Sequence, residues 1–175
     1  MSSSWSADEA LEALYAAHWR PLVRLAVLLV RDLGTAEEVV QDAFVAVHDR
    51  WGRLRDPDRA LPYLRQAVVN GSRSTLRHRG VVERHARAEG RRPDGGVPGA
   101  DEAAVADERR ATVLAALAHL PERQREVLAL RHYAGLSEAE IAAALGISPG
   151  SVKTHASRGG ARLRELLAPY LAEED

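Results

Sequence analysis

No cysteine occurs in the 175 residues, which excludes disulfides, thiol switches and cysteine-ligated zinc. Lysine is almost as scarce: Lys153 stands alone, and arginine supplies nearly all the positive charge. A guanidinium suits bidentate contacts to phosphate and guanine better than an ammonium does, but a GC-rich genome produces the same bias and is the weightier explanation. The longest apolar run, Leu25 to Val30, is too short to span a bilayer, and the acidic start MSSSWSADEALEALY lacks the features of a signal peptide. A cytoplasmic chain without membrane insertion is expected. A formal net charge of -1 argues against a uniformly basic sheath and for localised basic patches. The seven histidines (His18, His48, His78, His85, His119, His132 and His155) are scattered, with no HExxH pair, glycine-rich phosphate loop or nucleophile elbow. No catalytic residue, metal ligand or cofactor is therefore expected. No strand is signalled and no repeat stands out.

What is present is helix, and its best-punctuated part lies near the end of the chain. Ser137 followed by Glu140 is a capping box opening a helix whose Ile141, Ala142 and Leu145 share one apolar face. Gly146 is placed to end it in the left-handed conformation, and Ile147 to plug the space beyond. Ser148 and Pro149 restart the chain as a helix running to about Leu167, with Val152, Ala156 and Leu163 inward. From Gly146 to Arg164 there are four basic residues (Lys153, Arg158, Arg162 and Arg164) and no acidic one. Cap, turn glycine and charge together spell a helix-turn-helix whose second helix faces phosphate, where an ordinary helical hairpin would need only the apolar pattern.

The residues upstream also read as helix. Ser6 with Glu9 caps a stretch carrying Leu11, Leu14, Leu22, Leu25 and Leu29, which Pro21 kinks or divides. Gly34 is expected to end it, and Thr35 with Glu38 to open a helix with Val39, Val40, Ala43, Phe44 and Val47 on one face. After a loop at GRLRDPDR, another helix begins near Ala60 to Pro62. From Arg79 to Ala100 the chain gathers Gly, Pro and Arg and reads as linker. The predicted fold is all-α: two small helical domains, 6–80 and 105–171, joined by a flexible linker, 81–104, with the helix-turn-helix in the second. Charge is partitioned. Asp32, Glu37, Glu38 and Asp42 stand without a base between them, whereas from Pro62 to Arg92 eight arginines face only Glu83 and Glu89. Taken alone, either run also fits a solvated surface.

The arrangement resembles the extracytoplasmic-function (ECF) sigma factors of bacterial RNA polymerase, and within them the group found in actinobacteria. LGTAEEVVQDAFVAVHDRW is similar to the family's polymerase-binding segment, PYLRQAVVNGSRSTLRHR to its −10 helix, and LPERQREVLALRHYAGLSEAEIAAALGISPGSVKTHASR to its −35 domain. The resemblance implies promoter-specific initiation with core RNA polymerase and promoter DNA as partners, an anti-sigma factor as a further one, and a monomer when free. It makes Glu37, Glu38, Gln41, Asp42 and Phe44 polymerase contacts. It makes Arg53, Arg55, Tyr63, Arg65, Asn70, Arg73 and Arg77 contacts to the −10 element, where holding an unstacked base must offset a few kilocalories per mole of lost stacking. It assigns Ser148, Gly150, Ser151, Lys153, Thr154, Ser157 and Arg158 to the −35 element. Trp51 reads better as a core aromatic, and Tyr63 as either. The chain departs from the family pattern at Gly71, Ser72, Arg73 and Ser74 after Asn70, and at Gly159 and Gly160, where the recognition helix is expected to bend or fray. The competing reading is an autonomous helix-turn-helix regulator that binds DNA without polymerase; it leaves the acidic helix and the basic helix after Pro62 unexplained.

Overall fold

The computed structural model describes residues 6–54, 56–88 and 103–172, and within them every regular element is helical. α1 spans Ala7–Val30, α2 Leu33–Arg50 and α3 Ala60–Ala88; α4 spans Ala103–Ala118, α5 Glu122–Leu128, α6 Glu138–Leu145 and α7 Pro149–Leu171.

Ser6 starts α1 as expected: its hydroxyl accepts the Glu9 amide at 3.3 Å while the Glu9 carboxylate accepts the Ser6 amide at 3.0 Å. Pro21 does not divide the helix. An interior proline costs about 3 kcal/mol, but Leu22, Val23 and Leu25 just beyond it are buried, and each such burial is worth about 1.5–3 kcal/mol. The end of α1 differs from expectation. Arg31, not Gly34, takes the left-handed conformation, with φ 66°, and Gly34 sits in the first turn of α2. The reason is Asp32, whose carboxylate accepts the Thr35 amide at 2.8 Å and so caps α2 one turn before the expected Thr35–Glu38 box. Arg79 of α3 secures this corner by donating to the Val30 carbonyl at 2.9 Å and to the Thr35 hydroxyl, placing positive charge at the C-terminus of α1.

The first three helices pack around Leu25, Ala26, Val40, Val47, Leu64 and Val68, with Trp51 half-buried against them. Gly71 lets α3 approach α2: a Cβ there would lie 3.1 Å from the Val39 methyl. α3 continues to Ala88, so the first eight residues of the expected linker are helical; α4 begins at Ala103, and the linker between falls outside the described residues.

The helix-turn-helix is built as its punctuation indicates. The Ser137 hydroxyl accepts the Glu140 amide at 3.2 Å, Gly146 adopts φ 64°, and the Ser148 hydroxyl accepts the Ser151 amide at 3.1 Å. The expected fraying of the last helix is not found. α7 runs unbroken through Gly159 and Gly160. Gly159 is buried where α7 crosses α5, and a Cβ would stand 3.1 Å from the Gln124 Cβ and 3.2 Å from a Leu128 methyl. Close helix packing therefore offsets the roughly 1 kcal/mol that glycine costs in a helix. At the end of α5 one wide π-type turn, Ala129–Tyr133, buries Ala129 and Leu130.

The two helical groups are packed together. Their buried side chains form one continuous cluster from Leu22 in α1 to Val152 in α7, and Leu28 also touches a second cluster of Leu117, Leu120 and Leu128.

Candidate nucleic-acid interface

α2 presents its charge outward. Glu37, Glu38, Gln41 and Asp42 are exposed, and the last three share a face by helical spacing. Phe44 must be corrected: it is 5 % exposed and its ring lies 5.3 Å from Tyr15 and 6.2 Å from Trp19. It belongs to the core that seats the acidic face, because position 44 falls on the same inward stripe as Val40 and Val47. Sequence reasoning missed its neighbour. Val45 is 54 % exposed and completes the Glu38, Gln41, Asp42 row, with Tyr15 also exposed and stacked on Trp19 at 4.8 Å. An aliphatic residue one step off an apolar stripe was the available signal.

The second surface is the loop before α3 and one side of α3. Asp56 accepts the Asp58 amide at 3.0 Å and turns the chain into the helix, while Arg53 is exposed and Arg55 lies outside the described residues. Spacings of three and four put Tyr63, Asn70, Arg73 and Arg77 in one row, and Gln66, absent from the sequence-based set, falls in it too. The Tyr63 hydroxyl accepts a hydrogen bond from Arg50, whose guanidinium carbon sits 5.6 Å from the ring centroid, so the ring is held rather than free. Tyr63 and Arg65 line one wall of a groove of about 610 Å³ whose other wall is α6, at Ala139, Glu140 and Ala143. Asn70 and Arg77 are exposed. Arg73 is not: its side chain is 15 % exposed and grips the Glu126 carboxylate of α5 through Nε and through Nη2 at 2.7 Å. That hydrogen bond holds the guanidinium pKa above its usual value.

The third surface is the start of α7. Gly150, Lys153, Thr154, Ser157 and Arg158 are exposed on neighbouring turns. Ser148 and Ser151 have a structural task, since the Ser148 hydroxyl caps the helix and lies 2.9 Å from that of Ser151. Lys153 Nζ is 3.8 Å from Glu138 of α6, an exposed pair worth little, about 0–1 kcal/mol. Arg131 and His132 join Lys153, Ser157 and Arg164 around a shallow basic hollow. No local pattern showed this, because the π-type turn of α5 delivers the first two from outside the helix-turn-helix. At the motif's first cap, the Ser137 amide hydrogen bond and then the hydroxyl hold the Glu140 carboxyl below the usual range.

An exposed acidic row, a polar and basic helix face, and a helix-turn-helix with a basic second helix are thus arranged in chain order. Residues 14–81 match the family model described as Sigma-70 region 2, and residues 110–163 the model described as Sigma-70, region 4. The chain is 35 % identical to the RNA polymerase sigma factor CarQ of Myxococcus xanthus, over 92 % of this chain and 91 % of that one. It is 34 % identical to the ECF RNA polymerase sigma factor SigM of Mycobacterium tuberculosis, over 90 % of this chain and 77 % of that one. Among solved structures it is similar to CnrH, determined in complex with the cytosolic domain of CnrY: TM-score 0.70, 27 % identity, 93 % of this chain and 95 % of that one. The chain belongs to the ECF sigma factors of RNA polymerase.

Proposed function

We propose that this sigma factor divides its work among three helical surfaces. As a sigma factor it binds core RNA polymerase and promoter DNA and directs promoter-specific initiation. In the proposed division, Glu37, Glu38, Gln41, Asp42 and Val45 on α2 dock against core polymerase. Arg53, Arg55 and the α3 row of Tyr63, Asn70, Arg73 and Arg77, with Arg65 beside it, take the −10 element, and the N-terminal half of α7 takes the −35 element. The functional units are 6–80 and 105–171. Two or three α7 side chains, Arg158 among them, touch base edges, and the rest hold phosphates.

The observation that carries this reading is the separation of charge on α2 and α3. The acidic row is solvent-facing, whereas the Arg79 and Asp32 charges nearest it are already used to join α1, α2 and α3. A solvated surface has no need to segregate acid and base on consecutive helices, but a protein that meets a basic partner on one side and phosphates on the other does. The polymerase supplies the chemistry, and the chain acts in the cytoplasm, where polymerase and promoters are. α1 has the length and apolarity to cross a membrane, but its apolar face is the one buried against α2 and α3. A partner of the anti-sigma kind belongs to the same proposal; CnrH, to which the chain is similar, was solved with a second protein, the cytosolic domain of CnrY.

The test is reconstitution. The purified chain with core polymerase is expected to start transcription at a cognate promoter selected from a randomised library. A chain that footprints its operator alone and never joins core enzyme is the autonomous regulator instead.

A further inference from the structure

Arg50 is the last residue of α2, the helix that bears the acidic row, and its side chain crosses to α3. Its backbone and its charge are both fixed there. The Arg50 carbonyl accepts the Leu54 amide at 3.1 Å, tying it to the turn before α3, and the carbonyl end of α2 favours a cation. Among the described residues no carboxylate pairs with the guanidinium, which is given over to the Tyr63 hydroxyl. That ring needs a support. Tyr63 stands in the first turn of α3, is half-buried, and lines the groove of about 610 Å³, so one side of it meets open space. A ring unheld at its tip would have to be ordered by whatever stacks on it, at a cost in affinity. Arg50 holds the tip and spares the open side, since it is bonded to the hydroxyl and its guanidinium carbon stays 5.6 Å from the ring centroid. The bond also directs a second one. A phenol oxygen that accepts from a guanidinium keeps its own O–H to donate, and that proton points away from Arg50.

We propose that Arg50 is a positioning residue for the −10 element: it pins the Tyr63 ring with its open side ready for an unstacked base, and turns the remaining O–H toward acceptors on the same nucleotide. This rests on Tyr63 belonging to the −10 surface. Arg50 itself does not touch DNA in this arrangement. Its effect passes through the Tyr63 hydroxyl, which makes the two residues one unit and sets Arg50 apart from arginines that meet the strand directly.

The test is a double-mutant cycle on the holoenzyme, in which anisotropy reads the binding of a dye-labelled single-stranded −10 non-template oligonucleotide from the selected promoter. Arg50→Ala and Tyr63→Phe are each expected to weaken binding about fivefold, and the double variant no further, because either change removes the same bond. The slope of affinity against salt should keep its wild-type value in Arg50→Ala. Losses that add in the double variant, a silent Tyr63→Phe, or a shallower salt slope would mean that Arg50 acts otherwise than through the hydroxyl, and would overturn the positioning role. A silent Arg50→Ala overturns it too where Tyr63→Ala weakens binding. If Tyr63→Ala is also silent, the placement of Tyr63 on the −10 surface is the premise that has failed, and the proposal falls with it. Should Arg50→Ala not join core polymerase, Arg50→Met, which keeps the stem and loses the donors, is judged by the same outcomes.

Discussion

The two helices proposed to face DNA, α3 and α7, share a composition and differ in circumstance. Each carries basic residues at helical spacing, and each has an interior glycine where another helix comes close: Gly71 against Val39, and Gly159 against Gln124 and Leu128. On α7 the proposed reading residues stand in solvent with one weak ion pair, Lys153 with Glu138. On α3 the central arginine is withdrawn into a buried pair with Glu126. Basic character in a helix therefore does not tell whether the charge is available. That depends on what another domain sets against it.

The glycines give the sharpest way to break the parallel. Gly159→Leu should be the most damaging single change, because the new side chain meets a backbone-proximal atom, Gln124 Cβ at 3.1 Å, that cannot move without shifting α5. Overpacking of this kind costs about 1–3 kcal/mol, occasionally more, visible as a lowered thermal midpoint and loss of −35-dependent initiation together. A wild-type midpoint would show that α5 and α7 have room the structure does not allow. Arg158→Ala comes next. Its side chain is exposed and makes none of the folding contacts described, so stability should hold, while −35-dependent initiation falls about tenfold, as expected for one lost groove contact worth about 1–3 kcal/mol. Binding to core polymerase should be unchanged; equal loss of both would contradict the separate roles of α2 and α7.

These predictions differ in how far the sequence alone would have reached them. Ser137, Glu140, Gly146, Ser148 and Pro149 act over three or four residues, so the helix-turn-helix was legible before any coordinates. The end of α1 was not, because a left-handed terminator needs only one residue to tolerate φ 66°, and Asp32 made Arg31 that residue while Gly34 drew the eye. Phe44 and Val45 differ by 100° around a helix, and a family resemblance transfers a segment without its rotation. The contact between Arg73 and Glu126 spans 53 residues. No periodicity encodes it, and neither residue is unusual within its own helix. Gly159 looked like a defect because the reason for it lies on α5.

Gly160→Ala is the counterpart of the Gly159 change and should go the other way. Nothing lies within 4 Å of the added methyl, so the helix gains about 0.5–1 kcal/mol. Adjacent glycines with opposite responses would tie the tolerance of α7 to α5 alone; destabilisation by Gly160→Ala as well would mean that the helix needs flexibility there.

The smallest expected effect compares the two domains through their caps. Thr35 hydrogen bonds, the side chain's first and then the backbone's, hold the Asp32 carboxyl of α2 below its ordinary range, and the Ser137 amide does the same for Glu140 of α6. A depressed folded-state pKa means that the unfolded chain takes up the proton first. Each cap therefore contributes fully above about pH 4, and the contribution is lost as pH falls through the folded value. Both groups are exposed, so the effect is a change of slope and not a collapse. Urea midpoints measured at successive pH values from neutral downward should fall most steeply below about pH 4 in the wild type, and less steeply in Asp32→Asn and in Glu140→Gln. Because the buried side chains of both domains form one cluster, the two variants should flatten a single transition; two transitions, each answering to one variant, would show that the shared core does not couple the domains.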